Sequence, residues 1–194
     1  MKSRWIPAAA LLLLGAGGAA AAAPTTREMD LARSTLTLRV FKAGLFSAFG
    51  HNHEIRAPIS RGSFNESADL PSVELQVDAR RLQVLDSELS AKDRAEVQQT
   101  MLGPPVLDSA NFPEIRFRSL TIEKAGEGRW RVHGDLTLHG QTRPVLVEVT
   151  GELGHYRGSA AIRQTDFGIQ PVTAAGGAIK VKNEVRVEFE IFGR

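Results

Sequence analysis

The chain has 194 residues, with 24 Lys plus Arg against 22 Asp plus Glu, and no cysteine. That length suits one domain with a targeting segment, and the near balance of charge, without any basic run, argues against nucleic acid as a partner. The lack of cysteine excludes disulfide staples and thiolate metal sites, so a sizeable apolar core must stabilise the fold.

Lys2 and Arg4 precede an apolar run at 8–14 and an alanine-rich exit at 19–23. Basic start, short apolar core and small-residue exit describe a secretory signal peptide over residues 1–23, with cleavage after Ala21 or Ala22 because Pro24 is awkward just after a cut. The strongly apolar block is too short to span a bilayer comfortably. Loss of Lys2 and Arg4 brings the basic residues down to 22, equal to the acidic ones. The expected mature domain is 24–194, periplasmic or secreted, with no transmembrane segment and with homodimerisation left open.

Residues 24–33 form a polar lead without periodicity. Residues 34–42 alternate, with Leu36, Leu38 and Val40 on one face, and read as a first strand. Gly44 breaks it, a small apolar stretch follows to Gly50, and His51-Asn-His53 leads to Pro58, a strand end. A short strand is expected at 60–64. Val73, Leu75, Val77 and Ala79 then share one face of a half-buried strand, which Leu82 and Val84 extend or leave as a connection. Asp86 and Ser87 fit a helix N-cap. Leu89, Val97 and Met101 lie on a narrow apolar stripe, so a surface helix is predicted over about 88–102. Gly103 with Pro104 and Pro105 ends it.

The β pattern resumes at Asn111. Ile115 and Phe117 alternate with arginines, and a parity shift before Leu120 and Ile122 predicts a bulge. Gly126 and Gly128 turn the chain into a hairpin. Trp130, Val132, Leu136 and Leu138 share one parity, interrupted by Gly134, and Val145, Val147 and Val149 share another. His139 to Pro144 supplies the turn between them. A second turn is expected at 151–158 with His155 and Tyr156 at its tip. A strand at 159–167, a loop at 171–177 and a last strand carrying Val185, Val187, Phe189 and Ile191 complete about eight or nine strands and one helix. Such a pattern reads as an all-β, mainly antiparallel barrel or sandwich.

The wording of several segments is more particular than their spacing. Gly134-Asp-Leu-Thr-Leu-His-Gly-Gln-Thr-Arg-Pro-Val145, the stretch 106–119, Gln164-Thr-Asp-Phe-Gly-Ile169 and Asn183-Glu-Val-Arg-Val187 together resemble the YceI-like family of exported, lipocalin-like proteins associated with polyisoprenoid binding. Two departures mark a divergent branch. Arg33-Ser34 stands where the family commonly has His-Ser, and Gly50-His-Asn-His53 replaces a His-x-Gly. The resemblance implies an eight-stranded β-barrel with one surface α-helix, and a long apolar lipid as ligand. An eight-stranded barrel is either filled with side chains or holds one small ligand, in a pocket that is mostly apolar.

On that basis Leu36, Leu38, Phe49, Phe117, Trp130, Val132, Leu136, Phe167 and Phe189 are the expected ligand-binding residues. Leu75, on an apolar strand face, is left unassigned. His51 and His53, at i and i+2 on an extended segment, point to one side and are candidate metal ligands. The sequence holds no Gly-x-Ser-x-Gly, His-Glu-x-x-His, phosphate loop or dinucleotide fingerprint. Its carboxylates suit turns and solvated faces. The expected function is thus a non-enzymatic lipid-binding protein, without a certain cofactor. The alternatives are a histidine metal or redox-partner site at Gly50-His-Asn-His53, and a filled barrel acting through protein partners.

Overall fold

Period-two alternation over most of the chain leaves one apolar face per strand, and curling the sheet on itself is the way to hide that face. The computed structural model describes residues 26–43, 52–67, 71–174 and 179–194. Within them lie β1 (Thr26–Glu28), β2 (Thr35–Ala43), β3 (His53–Arg56), β4 (Ile59–Asn65), β5 (Ser72–Asp78), β6 (Gln83–Val84), α1 (Ala91–Leu102), β7 (Glu114–Gly126), β8 (Arg129–Leu138), β9 (Gln141–Glu152), β10 (His155–Arg163), β11 (Thr173–Ala174) and β12 (Ile179–Phe192). The twelve strands form one sheet in the order β1-β4-β5-β7-β8-β9-β10-β12-β2-β3-β6, with β11 beside β12. Every pairing is antiparallel.

The circuit closes through a bend. β3 pairs with β2, placing Leu38 opposite Ile55, whereas β4 pairs with β5, placing Phe64 opposite Val73. Only Ala57 and Pro58 separate the two strands, and the Ala57 N–H still donates to Leu36 O at 2.9 Å. β3 and β4 are therefore halves of one bent stave. With β2, β5, β7, β8, β9, β10 and β12 it makes a barrel of eight staves. The strand count exceeds the expected eight or nine because β1, β6 and β11 are short additions. β1 falls in the lead that lacks periodicity and forms by pairing with β4.

The central hairpin is tighter than the expected turn from His139 to Pro144. Leu138 pairs with Gln141, leaving two turn residues, His139 (φ 50°) and Gly140 (φ 69°), both left-handed. That is the turn whose twist matches the flanking strands. Pro144 lies inside β9 opposite Asp135. Counting the alternation from Leu138–Gln141 puts it at a position whose missing N–H faces away from β8. On that side β10 pairs only with 148–152 of β9, so no ladder bond is lost.

Other departures have equally local causes. The second turn is Leu153 (φ 53°) and Gly154 (φ 82°), so His155 and Tyr156 already belong to β10 rather than to a tip. β10 ends at Arg163, four residues before the expected 167, because Gln164–Phe167 coils into a 3-10 turn closed by Gly168 at φ 74°. The predicted bulge falls between Ser119 and Thr121, which throws Leu120 outward, 63% exposed, and returns Ile122 to the inner face. The helix starts at Ala91, capped by Ser90, not by Asp86 or Ser87: Ser90 Oγ accepts from Asp93 N–H at 3.1 Å. Asp86 is committed elsewhere, to His53 and the Glu54 N–H.

The main buried cluster joins Ile55, Val77, Leu82, Met101, Leu138 and Phe167 where α1 meets the barrel. A smaller one, at the other end, joins Met29, Ile59, Phe64 and Ile191.

Candidate functional site

A side chain pointing inward from each of eight staves fills a barrel only if opposing faces meet, and here they do not. The barrel encloses a cavity of about 1030 Å³. Val132, Leu136, Val145 and Val147 line it from the central hairpin, and Val187 and Phe189 from the last strand. Two glycines shape the wall. A methyl group on Gly134 would sit 2.6 Å from the Phe117 ring and 2.5 Å from Arg118 O, and one on Gly158 would collide with Phe189. Each ring occupies the place that a side chain on the glycine would take, close against its backbone.

Seven of the nine apolar residues proposed from sequence, Leu36, Leu38, Phe117, Trp130, Val132, Leu136 and Phe189, line this cavity, as does Leu75. Phe167 does not. It is 1% exposed within the cluster under α1, and its carbonyl oxygen lies 3.1 Å from His139 Nδ1, so it packs the barrel's end rather than its wall. Phe49 and His51 lie outside the described residues.

The helix, expected to ride on the surface, also faces the cavity. Leu89 before it and Asp93, Glu96, Val97, Thr100 and Met101 within it contribute to the lining. Gln98 fastens it to the barrel: its Oε1 accepts from Val84 N–H at 2.8 Å and its Nε2 donates to Leu82 O at 2.7 Å. Arg94 adds a bond to Asp86 O at 3.3 Å. A narrow apolar stripe marks a helix that covers a mouth, and sequence does not distinguish that from a helix lying on a flat surface.

Polar groups gather at the two ends. At the α1 end, His53 lines the cavity with Nδ1 2.6 Å from Asp86 Oδ2, while Asp86 Oδ1 accepts from Glu54 N–H at 2.8 Å. This carboxylate fixes the imidazole's orientation. Among the described residues no three His, Cys, Asp or Glu side chains come close enough to hold a metal ion.

At the opposite end, Glu66 Oε1 accepts from the Tyr156 hydroxyl at 2.6 Å and from Gly154 N–H at 2.7 Å, and Oε2 faces Arg27 Nε at 3.2 Å. Burial, and then the Glu66 carboxylate, raise the Tyr156 phenol above its usual pKa, so it stays a neutral donor. Trp130 Nε1 donates to Gly151 O at 3.3 Å, which leaves the apolar ring on the lining. None of these polar partners was legible from spacing, because Glu66, Tyr156 and Arg27 come from three distant parts of the chain.

A sequence profile of the YceI-like domain matches residues 28–192. A UPF0312 protein of Vibrio cholerae is 27% identical over 167 residues, covering 81% of this chain and 82% of that protein. Among solved structures, Burkholderia cenocepacia BcnA superposes with a TM-score of 0.66 at 19% identity, covering 84% of this chain and 98% of BcnA. The YCEI protein of Campylobacter jejuni does so at 0.51 and 11% identity, covering 72% of this chain and 81% of its own. At those identities the structural likeness speaks for the fold. No helix among the described residues is long and apolar enough to cross a membrane.

Proposed function

The chain belongs to the YceI-like family, and from that premise we propose that it is an exported, non-enzymatic protein that holds one long apolar lipid, of polyisoprenoid type, inside its barrel. The observation that carries this reading is the cavity of about 1030 Å³ with its aliphatic shaft. Pockets of roughly 300–1,000 Å³ lined mostly by apolar groups are the usual housing for small ligands. Each methylene moved from water into such a shaft contributes about 0.8 kcal/mol, so a long hydrocarbon binds without any strong polar contact.

The polar groups also favour holding over reacting. Glu66 is occupied by Tyr156, Gly154 and Arg27, and Asp86 by His53 and Glu54. Groups fixed in that way orient a ligand's end but are not poised as a nucleophile with its base.

The test is extraction of lipid from natively exported protein, read by mass spectrometry, together with a titration of Trp130 emission. With Trp5 removed in the signal segment, Trp130 is the remaining tryptophan of the chain. A saturable change near one lipid per protein is expected, with affinity falling by about 0.8 kcal/mol for each buried methylene removed. No lipid in the extract and a silent Trp130 would together exclude the carrier role.

A further inference from the structure

The apolar shaft has two polar ends, and they differ in charge. At the end where β4, β7 and β9 finish, Asn65, Glu66, Ser72 and Lys124 line the cavity. The acceptors there are consumed within the protein. Glu66 is held by Tyr156, Gly154 and Arg27, its charge offset by the guanidinium, and Asn65 Oδ1 accepts from Ser67 N–H at 2.9 Å. Lys124 lines the same end and makes no ion pair among the described residues. Among the described residues, what this end offers a ligand is therefore donors and one positive charge without an ion-pair partner.

The α1 end is the reverse. Asp93 and Glu96 reach the lining from the helix against Lys180, and His53 is already bound to a carboxylate. An anionic group there would sit beside two carboxylates with one lysine between them, where like charges repel.

Resting on the carrier reading, we propose that the ligand is a long-chain lipid with an anionic head, phosphate or carboxylate, and that it lies in one direction: head at the Lys124 end, tail toward α1. The position of Trp130 makes the orientation measurable, because it is the cross-strand partner of Lys124. Its ring therefore stands at the head end of the shaft.

The experiment uses exported protein with Trp130 as its reporter, and stearates dibrominated either near the carboxylate or near the methyl end. Bromine quenches indole at contact distance. The head-proximal label is expected to quench Trp130 more strongly, and the opposite order would overturn the orientation. In parallel, Lys124→Ala should weaken stearate and octadecyl phosphate by about five- to tenfold while leaving octadecanol within about twofold, and Lys124→Arg should restore the difference. Equal weakening of acid and alcohol would make Lys124 a packing residue and overturn the anionic-head assignment. No binding of any of the three probes would instead sink the carrier reading itself.

Discussion

Glu190 on β12 stands between His155 Nε2, at 2.8 Å, and the Arg157 guanidinium, whose Nη2 lies at 2.6 Å. The hydrogen bond from His155, then that from Arg157, hold its carboxyl below the usual carboxylate range. A group whose folded pKa is depressed stabilises the protein above its unfolded value, about 4.3, and that contribution is lost as the pH falls through the lower folded value. In denaturant melts across pH, wild type should therefore exceed Glu190→Gln most clearly above about pH 5, with the gap closing below about pH 4. A gap that stays constant down to acid pH would show that the side chain acts by packing, not charge. None of this was visible in the sequence. His155 was expected at a turn tip, and only the two-residue turn at Leu153 and Gly154 brings it into β10, two residues from Arg157 and across from β12.

A helix of twelve residues is marginal on its own in water, and α1 buries only Met101 fully. Its attachment to β6 therefore decides whether it stays on the cavity mouth. Gln98 supplies one bond to that strand, accepting from Val84 N–H, and one to Leu82 O just before it, and Val84 is buried. Gln98→Ala leaves a buried backbone donor unsatisfied and should cost about 1–3 kcal/mol locally. Hydrogen exchange is the suitable readout: amides of α1 should speed up while those of β8 and β9 hold. Uniform speeding of all amides would mean that α1 and the barrel unfold as one unit. Elements of strong period were legible in advance, since β2, β5 and the β8–β9 hairpin follow the alternation to within a few residues. Boundaries set by side-chain competition were not. Asp86 has the right chemistry for an N-cap but is taken by His53 from 33 residues away, and the cap passes to Ser90.

For the whole molecule, parity assigns Trp130, Val132 and Leu136 to one face but cannot tell whether that face meets its opposite across the barrel. That depends on how far the sheet curls before it closes, which is set by the bend at Ala57 and Pro58 and by the glycines under Phe117 and Phe189. The sequence thus left both a filled and a hollow barrel open, and in the structure the strands surround a cavity of about 1030 Å³. The hollow interior can be checked without any lipid. In a filled core, enlarging an inward side chain forces off-rotamer packing and costs typically about 1–3 kcal/mol. In a hollow barrel the new atoms enter space that is already open, and the apolar area they bury offsets much of the strain. Val147, paired with Val132 in the middle of the hairpin, lines the shaft and is the natural position. Val147→Phe should leave stability within about 1 kcal/mol of wild type in chemical denaturation, while reducing both the lipid recovered from native protein and the affinity of long chains more than of short ones. A loss of several kcal/mol with a shifted Trp130 spectrum would mean that the barrel interior is already occupied by its own side chains.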